Sequence, residues 1–412
     1  MKFKIVFALL LVLDFCYKLL KVYLSNRQKD KPLPRNVRDV YDAERYKLWL
    51  EYSAERKKLA LWGSAIRLVL MLALFTTNVL SVCYHWLPGN EYTKSILLLA
   101  LYLLVNTLVG IPFQYISQFK IEEKYGFNRT THKTFAKDLI ISFVLEYVLD
   151  VALYSVIFGS YSFLGIYFFP AAFGGIALLL LISNMFSGFF RRLFNKLSPL
   201  PDGALRNKLQ RLFTKSGYRL KEIYVMDASK RSTNVNAYCG GLGKFKEIVL
   251  YDTLVDHYTE GQIVAVFAHE LGHFKHRDTA KLLLGSLLNF LIILGAITVM
   301  VMLPQIGSAF GFADNGLLFA VLVVLFSDIL GLASTLLMAG VSWFSRKMER
   351  RADAFAASNG YGKELISALK KISGDDFADL NPHPFVVAME YSHPPIHERI
   401  ALIEKKQRKK HS

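Results

Sequence analysis

Long apolar runs alternate with short polar, mostly basic segments along this chain. About seven runs reach the roughly 20 residues that a helix needs to cross a bilayer: 5–24, 59–85, 96–117, 138–158, 162–187, 282–303 and 317–344. The first holds Asp14, Lys18 and Lys21 and has no small-residue cleavage site, so it reads as a retained span. Residues 188–281 break the rhythm and read as a small lobe outside the membrane. Within them Leu200-Pro201-Asp202-Gly203 is a turn and cap signal before a helical run at 203–216. Residues 221–226 and 247–251 read as strands. They flank the polar, glycine-rich stretch 232–241. One reading of that stretch is a hairpin whose edge takes an extended peptide by strand addition. The other is a flexible loop.

Charge alternates with the runs. Segment 25–58 is dense in lysine and arginine, 86–95 has only Lys94, and 118–137 is basic again. The turn near 159–161 has no basic residue, 188–281 is basic, 304–316 has neither lysine nor arginine, and residues after 345 are strongly basic. By the positive-inside rule the amino terminus lies outside or in a lumen and the carboxyl terminus in the cytoplasm. Composition agrees with a multi-pass protein: 53% of residues are hydrophobic and the mean hydropathy is +0.30, yet 50 Lys+Arg stand against 33 Asp+Glu. A soluble basic protein would not be this apolar, so the +17 balance marks membrane orientation. No clustered basic fingers or aromatic RNA-binding motif is present, which excludes nucleic acid as a partner and leaves the lipid bilayer. The three cysteines, Cys16, Cys83 and Cys239, form no C-x-x-C pair, so neither a disulfide framework nor a thiolate metal site is expected. Asp14, Arg67, Asn78, Asn106, Glu146, Asp150, Asn184, Asn289 and Asp328 fall inside the spans. Charges there face a protein interior or water, or reach the interface from a span end.

The candidate chemistry lies in Val266-Phe267-Ala268-His269-Glu270-Leu271-Gly272-His273-Phe274. His269 and His273 are spaced i, i+4, one helical turn apart on one face. That spacing lets two imidazoles bind one tetrahedral Zn²⁺ and leaves Glu270 beside its open position. Zn²⁺ brings the pKa of bound water towards neutrality, and a neighbouring carboxylate then takes the proton. The alternative is a solvated helix face, but the flanks (Ile263, Val264, Phe267, Leu271) are apolar and buried polar groups need partners. Gly272 also stands where an exposed helix would prefer alanine.

A catalytic zinc needs a third protein ligand. Glu349 and Asp353, again i, i+4, supply one: Glu349 to the metal, Asp353 to orient a ligand histidine by a hydrogen bond. By itself an E-x-x-x-D among arginines is a salt-bridged surface helix. Further on, the prolines of Tyr391-Ser392-His393-Pro394-Pro395-Ile396-His397 hold His393 in an extended turn before a closing helix. Alone, His393 and His397 read as surface residues.

Taken in chain order, these motifs resemble the type I CAAX prenyl proteases, integral-membrane zinc metalloproteases of the a-factor-converting type. The likeness covers nearly the whole chain. It includes Lys120-Ile121-Glu122-Glu123-Lys124-Tyr125-Gly126-Phe127-Asn128, Ser229-Lys230-Arg231-Ser232, Asn236-Ala237-Tyr238, His269–His273, Glu349–Asp353 and Ser392-His393-Pro394-Pro395. The resemblance implies an α-helical integral membrane protein, with about seven transmembrane helices forming a chamber and a small α+β gluzincin-type zinc metallopeptidase lobe on the cytoplasmic side. It implies one Zn²⁺ per chain on His269, His273 and Glu349, with Glu270 as general base. Asn236 and His393 match its substrate-binding and transition-state groups, and Asp353 and Arg399 its supporting residues. The implied substrate is a prenylated CAAX protein or peptide, which loses its last three residues. The chain then divides into spans one to five (1–187), the lobe with the His269–His273 helix (188–281), spans six and seven (282–344), and the rest of the lobe with the basic tail (345–412). The implied membrane is that of the endoplasmic reticulum in a eukaryote and the cytoplasmic membrane in a bacterium. A quality-control protease with the same zinc chemistry, and a transporter whose polar intramembrane residues line a path, are the alternatives.

Overall fold

The computed structural model describes residues 2–185, 195–233, 235–240, 245–301, 303–312 and 318–411. Its amino-terminal part is a set of apolar helices: α1 (Lys2–Lys29), α2 (Ala43–Thr76), the short α3 (Val79–Trp86), α4 (Glu91–Ile116), α5 (His132–Leu164) and α6 (Phe168–Met185). Small polar residues start three of them. Asp42, Asn90 and Thr131 each accept a hydrogen bond from the third backbone N–H of the helix they cap, at 2.7, 2.9 and 3.2 Å. Stretches Ala43–Thr76, Glu91–Glu122, His132–Leu164 and Asp278–Ala296 are long and apolar enough to cross a membrane, and Phe168–Ile182 is a shorter apolar helix. Their outer faces stay apolar, with Val69 66% and Leu284 67% exposed, as lipid-facing positions are. Trp86, Phe163 and Tyr167 are exposed at the ends of α3 and α5 and the start of α6, the placement of aromatic residues at a bilayer interface. This is an integral membrane protein.

Two span boundaries differ from the sequence reading. The run 59–85 is two helices, because α2 stops at Thr77, whose N–H and hydroxyl both turn back to the Ala73 carbonyl. The turn expected near 159–161 lies at 165–167 instead. The helix runs on through Ser160, whose hydroxyl bonds back to the Val156 carbonyl, and ends at Gly165, whose positive φ of 57° suits glycine.

The lobe begins with β1 (Leu197–Pro199), α7 (Ala204–Lys215), β2 (Arg219–Met226), β3 (Ala237–Gly240) and β4 (Phe245–Tyr251). Their order across the sheet is β1-β2-β4-β3. The two strands read from the sequence are parallel neighbours, and the hairpin is made by β3 with β4. The glycine-rich stretch thus supplies an edge strand of its own. Next come α8 (Asp252–His257), α9 (Glu260–Lys275), α10 (Asp278–Val301), α11 (Pro304–Ala309) and α12 (Leu318–Ser358). Three helices close the chain: α13 (Gly362–Asp375), α14 (Pro384–Glu390) and α15 (Ile396–His411). The sheet, α7, α9 and α13 share one core built on Phe213, Ile248, Leu250, Phe267 and Leu365. A separate core inside the helix set joins Phe7, Phe75, Leu98, Phe168 and Phe310.

Residues 127–138 fasten the lobe to the membrane helices. Arg129 N–H and the Thr130 hydroxyl both donate to the Arg231 carbonyl at 3.0 Å, and the Arg231 guanidinium grips Asp138 at 2.8 and 3.1 Å. Cavities of about 580 and 450 Å³ lie between lobe and helices, and an adjoining one of about 820 Å³ lies among α1, α2, α3 and α4. The largest is mostly apolar, and Arg67 and Asn106 line it, which gives two of the intramembrane polar residues an interior to face. The side chains of Asn184 and Asp328 lie outside the described ones.

Candidate metal centre

Helix α9 starts with a full capping box, in which Thr259 and Gln262 satisfy each other's backbone N–H. Its Ile263, Val264, Phe267 and Leu271 are buried in the lobe core. Packing on that side fixes the helix and turns His269 and His273 towards α12. Gly272 lets the two helices touch: a Cβ there would stand 2.7 Å from the Cα of Ala352. Ala352 lies between Glu349 and Asp353, so the close approach delivers both carboxylates to the histidines.

His269 Nε2 is 3.2 Å from His273 Nε2 and 3.3 Å from Glu349 Oε2, and His273 Nε2 is 3.2 Å from Glu349 Oε1. One ligand atom from each of the three lies within 4.8 Å of the others. Bonds of about 2.0–2.1 Å to a tetrahedral ion put neighbouring ligand atoms about 3.3 Å apart, so this triangle has the size of one face of such a shell. Glu349 Oε2 is buried without a hydrogen-bond partner, a costly state that a cation would relieve. The residues present therefore fit a divalent metal.

The groups behind the triangle fix its chemistry. Asp353, fully buried, faces His269 Nδ1 at 2.9 Å and receives Arg399 at 2.7 and 2.9 Å. Asp278, also buried, faces His273 Nδ1 at 3.1 Å and receives Arg351 at 2.8 Å and Lys281 at 3.3 Å. A carboxylate on Nδ1 holds the proton there and leaves Nε2 free to bind metal. Burial works against a charged His269, but the Asp353 and Glu349 carboxylates outweigh it and take its pKa up to about 9. Burial likewise opposes ionisation of Glu349, and the two histidines and Arg399 outweigh that, holding its carboxyl well below the usual range. The pocket attracts positive charge.

Glu270 is half-buried beside this triangle and makes no hydrogen bond or ion pair among the described residues. His393 reaches the same carboxylate, its Nε2 3.4 Å from Glu349 Oε1 and its Nδ1 2.9 Å from the Ser392 hydroxyl. The turn that carries it is tied to α12, where buried Arg346 donates to the carbonyls of Val387 and Tyr391 at 2.8 and 2.6 Å. Asn236 is exposed at the head of edge strand β3, with its carbonyl accepting from Tyr251 N–H at 3.1 Å. His397 is not drawn in and faces the Leu380 carbonyl at 3.3 Å. Asp278 was missed in the sequence. Its one signal is its place five residues after His273, at the start of α10.

Residues 199–407 match the family described as Peptidase family M48, and residues 23–196 match "CAAX prenyl protease N-terminal, five membrane helices". This chain belongs to the CAAX prenyl protease family of M48 peptidases. It is 30% identical to the CAAX prenyl protease 1 homolog of Oryza sativa subsp. japonica, over 95% of each chain. It is 29% identical to the CAAX prenyl protease 1 of Saccharomyces cerevisiae, over 93% of this chain and 91% of the yeast one. The crystal structure of S. mikatae Ste24p superposes with a TM-score of 0.89 at 27% identity, covering 97% of this chain and 99% of that one. The M48 peptidase is thus an integral-membrane metalloendopeptidase, which removes the transporter reading.

Proposed function

We propose that this M48 peptidase is a zinc-dependent membrane endopeptidase that removes the C-terminal three residues of prenylated CAAX proteins. The observation that carries the reading is the triangle of His269, His273 and Glu349 at tetrahedral spacing, in a chain similar end to end to CAAX prenyl proteases. These three residues would hold one Zn²⁺, for which two imidazoles and a carboxylate are a fitting set. Bound there, the ion would polarise the scissile carbonyl and lower the pKa of water. Glu270 takes a proton from the attacking water and returns it to the leaving amine. Asp353 and Asp278 keep the ligand histidines in the binding tautomer, and Arg399 anchors Asp353. His393 donates to the oxyanion as it forms.

The edge of β3 accepts the substrate backbone as an added strand, with Asn236 holding its register. The apolar 820 Å³ cavity, lined by Leu70, Leu74, Leu98, Leu101, Val105 and Phe113, suits a prenyl chain. On this reading residues 1–187 and 282–344 are membrane helices, and 188–281 with 345–412 form the peptidase lobe. The alternating basic loops put that lobe in the cytoplasm. In a eukaryote the membrane is that of the endoplasmic reticulum.

The test is purified protein with its metal measured, given a prenylated CAAX peptide and its unprenylated twin. Stoichiometric zinc and release of the terminal tripeptide from the prenylated peptide alone are expected. Equal cleavage of both peptides would transfer the chain to a general quality-control role.

A further inference from the structure

The 450 Å³ cavity between the amino-terminal helices and the His393 turn is lined by four cations: Lys18, Lys21, Arg56 and Lys57. Three of them are neutralised. Lys18 pairs with Asp14 at 2.6 Å, Lys21 with Glu390 at 3.0 Å and Arg56 with Glu122 at 3.4 Å. Lys57 is different. Its ammonium is buried and has no hydrogen-bond partner among the described residues. The other acid on the wall, Asp379, attracts it only from a distance, forms no direct ion pair with it, and accepts from Asn381 N–H at 3.1 Å. A buried, unpaired cation is costly, and beside an open cavity the cost is offset by an incoming anion.

The cavity's position says which anion. Tyr391 forms part of its wall and precedes His393 by two residues, at most about 7 Å of chain. Arg346 pins the Tyr391 carbonyl one helical turn from Glu349. Three extended residues span about 10 Å, so a group that far beyond the scissile bond reaches this cavity. In a substrate losing its last three residues, that group is the free α-carboxylate. The cavity also shares Lys18, Ala60 and Ser64 with the apolar 820 Å³ cavity, so both ends of one short peptide find adjoining walls.

We infer that Lys57 is the docking cation for the substrate's C-terminal carboxylate, and so fixes the distance between chain end and cut. The inference rests on the CAAX reading above and deepens it. Lys57 is a specificity and positioning residue that does not touch the reacting atoms.

The experiment compares two prenylated peptides of one sequence, one ending in a free acid and one in a carboxamide, on wild-type protein, Lys57→Met and Lys57→Arg. Wild type is expected to prefer the acid at least tenfold in kcat/KM. Lys57→Met lowers kcat/KM for the acid alone and brings the ratio near one, while Lys57→Arg keeps most of the preference. The ratio is internal to each preparation, so partial misfolding leaves it unchanged. Equal cleavage of acid and amide by wild type, or an equal loss on both in Lys57→Met, overturns the inference and leaves the proposed function standing. Failure of wild type on both prenylated peptides overturns the proposed function itself.

Discussion

Among the described residues Glu270 makes no hydrogen bond or ion pair that its removal would orphan, so its substitution separates chemistry from stability. Glu270→Ala is expected to lower kcat by about 10²–10⁴-fold with metal content unchanged. Turnover assays beside metal analysis on one sample check this, and activity near wild type would remove Glu270 from the role. Asp278 makes the opposite case, since its buried carboxylate faces His273 Nδ1 and binds two cations. Asp278→Asn is expected to weaken metal affinity by about 10–100-fold, read by competition with a chelator. Wild-type affinity would mean that Asp278 only neutralises Arg351 and Lys281. Asp278 shows the limit of motif reading, for nothing in an aspartate at the start of a membrane helix distinguishes a ligand's partner from an N-terminal charge.

Among the elements, the contact of α9 with α12 decides whether a metal site exists. One glycine sets their separation. Gly272→Ala puts a methyl group against backbone, and such overpacking costs about 1–3 kcal/mol. Both the melting temperature and the zinc stoichiometry of Gly272→Ala are expected to fall. A variant with full metal and unchanged Tm would show that the helices part without disturbing the triangle. The sequence showed that Gly272 was an odd choice for an exposed helix. It did not show what the glycine makes room for, because Ala352 lies beyond two membrane crossings. Similarly, Glu349 and Asp353 read as a surface salt-bridge pattern until α12 is seen to run unbroken from Leu318 to Ser358 and to bury both.

At the scale of the molecule, a metal on the proposed triangle would tie together helices on either side of a membrane excursion and so link stability to occupancy. Zn²⁺ at 100 times its Kd adds about 2.7 kcal/mol to the folded state. Wild type is expected to melt higher on zinc addition after chelation, and Glu349→Ala is not; equal shifts in both would place the stabilising ion elsewhere. A second device lies where lobe, loop and tail meet. Asp376 lines the 580 Å³ cavity, and burial, with Asp375 beside it, pushes its pKa up to about 6. The folded state thus holds a proton that the unfolded chain releases near pH 4, and stability drops as pH rises from about 4 to 6. Asp376→Asn removes that loss, on the order of 1 kcal/mol after allowance for partial solvation. Its Tm is expected to exceed wild type at pH 7.5 and to match it near pH 4. No gain at pH 7.5 would show that the carboxylate is adequately solvated.

The sequence by itself determined what is local. Apolar runs long enough for hydrocarbon, the alternation of basic loops, and two imidazoles one turn apart depend on a few consecutive residues and on helical or bilayer geometry. Only the tertiary structure decided what is distant: Glu349 as the third corner, Asp278 behind His273, the β3 edge made from a glycine-rich stretch, and a Lys57 ammonium facing the cavity with no hydrogen-bond partner among the described residues. Each comes from packing between segments far apart in the chain, and no periodicity within a segment carries that contact.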